Sequence, residues 1–408
     1  MWKGGPVPEL YPLENAVQHA DWGSRTRIQE LLGVEPDGTP AAELWLGAHP
    51  SAPSRVNGDG SLLELVRSSP DAMLGRRVAD EYGPRLPYLL KVLAAERALS
   101  LQVHPKPHAA RAGFNRENRQ GLPPGDPGRS FHDDQHKPEM VVALTEFEGL
   151  AGFRTPRAVL DLLDGLDGDL VGAVRGTLTG DRSPAGVKAA FSRLVAARRD
   201  PGAPADVVTA VASVTARLAA GSPSSRADAT VLQLAEQHPG DPAALASLLL
   251  NRVTLDPGQG LFLPAGEVHA YLSGLGVEIM ASSDNVLRAG LTTKLVDEAA
   301  LVECASFVPR PPQPPRTRAT GGRGQVTTYR APVREFALTV ADVDPAEDVD
   351  LPAEGPRIVL CLSGDLKLTA EGCAAPATLH RGGSVFVPHD AGELRLSGSG
   401  HAVCAWVP

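Results

Sequence analysis

The chain has 408 residues, enough for two or three domains at roughly 150 residues each. Hydrophobic residues make up 42% and charged residues 21%, the balance of a folded globular chain and not of a disordered one. A net charge of −9 argues against nucleic acid or an anionic membrane as partner, since both need a basic face; an anionic small molecule would need a local basic pocket.

The opening MWKGGPVPELYPLENAVQHADWGS has no apolar core of signal-peptide length, and no stretch approaches ~18 uninterrupted apolar residues. Cys304, Cys361, Cys373 and Cys404 are scattered and form no metal-type pair. A monomer in a reducing, cytoplasmic compartment is expected. Residues 1–153 are rich in Gly and Pro with short apolar runs at 42–46, 88–93 and 98–103, and read as strands separated by turns. The texture changes at 154–252. PRAVLDLLDGL, GVKAAFSRLVAARR, ADVVTAVASVTARLAA and ATVLQLAEQH space apolar residues three and four apart, as amphipathic helices do. Strand texture returns from Val253 to about Ala281. The Pro-rich 308–324 reads as a linker or crossing loop, and 325–408 returns to short strands and glycine turns.

The two β-rich parts share a repeat. LDPGQGLFLPAGEVHAYLSG (255–274) aligns without gaps to LHRGGSVFVPHDAGELRLSG (379–398), with seven of twenty positions identical. A glycine turn, a short strand, Pro and then a metal-ligand position resembles the second half of a cupin motif. Two copies imply two small jelly-roll barrels, which hide their sheet edges in a double sheet. The expected fold is therefore mainly β with a helical insert: a discontinuous catalytic cupin domain (1–153 and 253–307), an α-helical domain (154–252) and a C-terminal cupin-like domain (325–408).

In SLQVHP, strand alternation puts Gln102 and His104 on one face. In DDQHKPEM, Pro138 favours extended backbone before it, so Lys137 and Glu139 share a face. PAGEVHAYLSG adds His269. Gln102, His104, Glu139 and His269 make a mixed oxygen and nitrogen set that suits a borderline divalent ion such as zinc. His49, His108, His132 and His136 remain ambiguous, His136 as a neighbour; His238, His380, His389 and His401 read as surface. In the second copy, Glu393 stands opposite His269 and Arg395 opposite Tyr271. The two are expected to satisfy each other in a barrel without metal.

AELWLGAHPSAPS, LSLQVHPKPHAA, DDQHKPEMVVALTEFEGLAGFR and LFLPAGEVHAYLSGLGVEIMASSDNVLRAGLTTK, in that order, resemble the signature blocks of the type I phosphomannose isomerases. Ala48 and Val103 depart mildly from the family pattern. The resemblance implies one zinc ion per chain on Gln102, His104, Glu139 and His269, an active-site arginine at Arg288, and a sugar phosphate substrate. The implied reaction interconverts mannose 6-phosphate and fructose 6-phosphate through a cis-enediol. It needs a base, cationic or metal stabilisation of the enediolate oxygen, and a phosphate anchor. A hairpin around 273–276 would set Tyr271 opposite Glu278 on the face of His269, making Glu278 the candidate base. Arg288 and Lys294 are the expected substrate cations, with Lys137 adding charge. Ser100, Tyr271 and Asp284 complete the expected substrate-binding set, Asp284 by orienting a cation. A non-catalytic sugar-binding cupin and a metal-dependent cupin oxygenase are the competing readings. The oxygenase would use a 2-His-1-carboxylate face without Gln102.

Overall fold

A computed structural model describes residues 9–56, 60–123 and 125–408; the first eight residues of the opening segment lie outside the described residues. Among the described residues the molecule is mainly β, with two antiparallel sheets and twelve α-helices. None of these helices is long and apolar enough to cross a membrane.

The first sheet is built round the strand Tyr88–Ala95, buried along its whole length between Glu43–Leu46 and His269–Ala281. A run of apolar side chains stabilises such a doubly covered strand; Lys91 is its one charged residue. His269–Ala281 is one continuous strand, not the expected hairpin. Its first part pairs with Phe147–Phe153, and its second with Tyr88–Ala95 and Glu139–Ala143. Gly274 makes this possible. Its φ of 120° bends the strand, and a register shift lies between Tyr271 and Ser273.

Alternation along this strand divides its neighbours. Ala270 and Leu272 turn outward into a core shared with the helices Pro156–Leu163, Asp169–Gly180, Pro184–Ala197, Ala203–Ala219 and Ser225–Gln237. Thr155 and Ser183 cap two of them, each followed by Pro in the first turn. Past the bend, Val277 and Ile279 pack with Leu90 and Val92 against Ile358, Phe386 and Val403 of the second sheet and against Phe336 just before one of its strands. The Tyr88 hydroxyl ties the sheets by donating to the Ala405 carbonyl at 3.0 Å.

Several expectations need correction. The 1–153 region is not all strand and turn: it contains five helices, including Pro107–Arg119. They are short, and their apolar spacing is interrupted by Gly and Pro. The strand Tyr11–Glu14 joins the second sheet beside Ser384–Val387, so N-terminal residues cover an edge of the C-terminal sheet. The Pro-rich stretch ends as the strand Arg316–Gly321, paired with Gln325–Arg330.

The repeat has matching backbones but opposite faces. Gly258 and Gly382 both have positive φ (86° and 81°), as do Gly274 and Gly398 (120° and 112°). Yet the second copy's strand, Leu394–Trp406, turns Leu394 and Leu396 into an apolar cluster and leaves Glu393 and Arg395 exposed. Arg395 pairs with Asp350 at 3.0 Å instead of with Glu393. The first copy has a register shift between Tyr271 and Ser273, whereas the pairing of 394–398 runs without one.

A Cβ on Gly274 would stand 2.6 Å from the Glu146 carbonyl oxygen, in a backbone conformation that L residues rarely adopt. Gly274→Ala should destabilise the protein by about 1–3 kcal/mol in urea titrations and lower activity, because the bend sets Tyr271 against Glu278. Wild-type stability would show that the bend is dispensable.

Candidate metal centre and substrate cavity

Three strands and one loop bring the polar groups together. Gln102 pairs across its strand with His269 on one side and Arg288 on the other. His104 follows the strand Leu101–Val103, and Glu139 begins the strand Glu139–Ala143. The ligand atoms of His104, Glu139 and His269 all lie within 4.8 Å of one another, and all three residues are buried.

Hydrogen bonds at the far ring nitrogens determine what the centre presents. His104 Nδ1 donates to the Asn285 carbonyl at 2.6 Å, and His269 Nδ1 donates to the Glu267 carbonyl at 2.9 Å. A carbonyl only accepts, so each ring carries its proton on Nδ1 and turns an Nε2 lone pair inward. Those lone pairs meet Glu139 Oε2, at 3.2 Å from His104 and 3.4 Å from His269. These contacts pair acceptor with acceptor, and His104 Nε2 and Glu139 Oε2 are accordingly buried without a hydrogen-bond partner. Each such orphan costs roughly 1–3 kcal/mol. Protonating His104 does not relieve the conflict, because burial holds its pKa down at about 4 against the pull of Glu139. A cation bound between them does, so the donor set fits a divalent metal. Burial raises the Glu139 pKa, but the Lys137 ammonium opposes it, and the carboxyl is held well below the usual range. Lys137 Nζ occupies Glu139 Oε1 at 3.0 Å, leaving Oε2 to the centre. Gln102 Nε2 lies 3.3 Å from His269 Nε2, and Ser100 Oγ donates to Gln102 Oε1 at 3.5 Å.

The centre opens into a cavity of about 610 Å³ lined by Gln102, Glu139, Tyr271, Glu278, Arg288 and Lys294 among others. Tyr271 and Glu278 meet as expected, although through the bend: the Tyr271 hydroxyl donates to Glu278 Oε1 at 2.9 Å. Burial raises the Glu278 pKa, opposed by Lys91. Lys91 reaches Glu278 Oε2 at 3.2 Å and Glu43 Oε1 at 3.3 Å, under the Trp45 ring. Sequence reasoning missed Lys91 and Glu43. The available signal was one lysine inside an otherwise apolar strand.

Arg288 is half-buried and Lys294 exposed, and neither side chain has a polar partner among the described residues. Asp284 does not orient a cation of this kind. It lies 3.5 Å from His49 Nε2 and accepts from the Ser51 hydroxyl, with Asp133 receiving its N–H. His136 pairs with Glu335 at 2.6 Å, away from the centre. His238 is not plain surface, because it lines the cavity rim with Gln237; His389 is half-buried and accepts the Gly355 N–H.

Asn285 holds two ligand-bearing segments together. Its carbonyl receives His104, its amide donates to the Asp133 and Gln135 carbonyls at 2.8 Å, and its side-chain oxygen accepts the His132 N–H at 2.7 Å. Asn285→Ala should lower metal affinity roughly 10–100-fold in chelator competition, as loss of support behind metal ligands generally does. His269→Ala should abolish stoichiometric metal altogether. Unchanged metal content in His269→Ala would disprove the ligand set.

Residues 10–156 match the family model described as phosphomannose isomerase type I, catalytic domain. The mannose-6-phosphate isomerase of Salmonella typhimurium is 35% identical over 397 residues, covering 96% of this chain and 98% of that protein. The human enzyme of the same name is 31% identical over 408 residues, covering 93% and 94%. A crystal structure of mannose 6-phosphate isomerase bound with zinc and yttrium superposes with a TM-score of 0.86 at 32% identity, covering 98% of this chain and 99% of the other.

Proposed function

The chain belongs to the type I mannose-6-phosphate isomerase family, and from that premise we propose that it interconverts mannose 6-phosphate and fructose 6-phosphate. The observation that carries this reading is a single cavity. It joins a buried two-histidine, one-carboxylate centre to a buried Glu278–Lys91–Tyr271 group and to two cations without acidic partners.

His104, Glu139 and His269 would hold one zinc ion, with Gln102 as fourth ligand once its amide turns Oε1 inward. The bound ion supplies Lewis acidity towards the C1 and C2 oxygens of the sugar. The chain's own residues do the rest. Glu278 takes the proton from one carbon and returns it to the other. Burial in a dry site lifts its pKa towards the operating range of a base, while Lys91 and Tyr271 orient the carboxylate. Arg288 offers a planar guanidinium to the enediolate oxygen or the phosphate, and Lys294 offers a charge at the exposed end of the cavity. Lys137 keeps Glu139 ionised, Ser100 lies beside the Gln102 amide and would accept from its Nε2 after that turn, and Asp284 lines the substrate space.

We read the two sheets as two cupin-type jelly rolls, with the metal confined to the N-terminal one. The matched glycine conformations support the common plan. The apolar face at Leu394 and Leu396 supports a second unit without ligands. The oxygenase reading uses the two histidines and Glu139 but leaves Glu278, Lys91 and Arg288 without a task.

Purified, metal-analysed protein should turn over mannose 6-phosphate under anaerobic conditions with no added oxidant; no turnover would refute the isomerase. Arg288→Ala should keep its metal and melting temperature while kcat/KM falls roughly 10²–10³-fold, with little rescue by Arg288→Lys. Lys91 lowers the Glu278 pKa, so Lys91→Met should raise it further. Glu278 is active when deprotonated, so the acid limb of kcat/KM should move to higher pH; a stationary limb would remove Glu278 from the base role.

A further inference from the structure

Leu291 stands just beyond the strand Leu287–Gly290, and among the described residues it is the one non-glycine with a positive φ, at 54°. Such a conformation persists in a non-glycine side chain only when the surroundings over-determine it. The residues after it, Thr292, Thr293 and Lys294, line the substrate cavity.

Packing does not hold this turn on two of its sides. A cavity of about 390 Å³ lies against Thr292 and Thr293, and another of about 300 Å³ lies against Arg288 and Lys294. The Leu291 side chain is buried in the apolar core shared with the helical insert, and polar contacts from the insert fix the backbone around it. Asp241 Oδ2 accepts the Leu291 N–H at 2.9 Å, and Arg198 Nη2 donates to the Thr292 carbonyl at 2.8 Å. Arg198 and Asp241 are themselves ion-paired, and Asp241 Oδ1 accepts the Ala243 N–H at 3.0 Å. The acceptor on the insert is thereby fixed at both oxygens. Gly290 lets the two elements approach, since a Cβ there would lie 2.3 Å from the Ala243 Cβ.

We infer that Asp241, with Arg198, is a positioning residue for the anion-binding end of the cavity: the helical insert holds Leu291 in its left-handed turn and so places Lys294. This rests on reading the cavity as a sugar phosphate site. Asp241 touches neither the three converging ligands nor Glu278, so its loss should act on anion binding and spare the metal.

The test compares Asp241→Ala, Asp241→Asn, Gly290→Ala and the double variant Gly290→Ala/Ala243→Gly with wild type. It measures zinc content, kcat and KM for mannose 6-phosphate, and calorimetric binding of inorganic phosphate. Asp241→Ala should keep stoichiometric zinc and a kcat within about threefold of wild type, while KM and the phosphate Kd rise roughly 10–100-fold. Asp241→Asn retains an oxygen for the Leu291 N–H and should lose less. Gly290→Ala disturbs the same turn from its other side with Asp241 intact and should raise KM; removing the Ala243 methyl in the double variant should restore it. Wild-type KM and phosphate affinity in Asp241→Ala or Gly290→Ala would overturn the inference. So would a parallel loss of zinc, kcat and phosphate binding in Asp241→Ala, the pattern of general damage. Failure of wild type to turn over mannose 6-phosphate while still binding phosphate would refute the isomerase reading alone, and the phosphate arm would then decide the role of Asp241.

Discussion

One strand, His269–Ala281, is the constraint on which the site depends. Before its bend, alternation sends His269 and Tyr271 inward; after it, the same alternation sends Glu278 inward. A straight strand would carry Tyr271 and Glu278, seven positions apart, to opposite faces. The bend at Gly274 and the adjoining register shift bring them within hydrogen-bonding distance. The outward residues of the two halves are claimed by different cores, the helical insert behind Ala270 and Leu272 and the second sheet behind Val277 and Ile279. Each core pins one half of the strand in register, because a slip by one residue would bury charge and expose apolar groups.

The electrostatics follow from that enclosure. Glu43, Glu139 and Glu278 are held with only Lys91 and Lys137 as ammonium partners, three carboxylates against two cations. Buried charge is tolerable only when paired, and within this network the atoms left without partners are His104 Nε2 and Glu139 Oε2, where the two side chains meet. The surplus of negative charge and the orphaned atoms coincide, so a cation bound there meets both. Arg288 and Lys294 stand apart from this network and remain available to an anion.

The insert and the second sheet both act through backbone placement. The insert reaches the cavity rim through Gln237 and His238 and grips the turn at Leu291 through Asp241 and Arg198. The second sheet supplies the apolar layer against which Leu90, Val92, Val277 and Ile279 are flattened.

Much of this was legible in the residues. The two-residue spacing of Gln102 and His104, the extended backbone before Pro138, the helical texture of 154–252 and the 255–274 repeat all depend on local periodicity, which short-range sterics impose on any chain. What stayed hidden depended on contacts between distant segments. Whether 269–281 is a hairpin or a bent strand is settled by which neighbours pair with it. Arg395 proved to face solvent because Leu394 and Leu396 take the apolar side of their strand, and the residue pairing that selects a face leaves no mark in the motif. Lys91 sat unnoticed in an apolar run because its partners, Glu43 and Glu278, lie on the flanking strands, 48 and 187 positions away. Local spacing determined which residue types could share a face; only the assembled sheets decided which faces meet, because strand pairing and burial are properties of the whole fold.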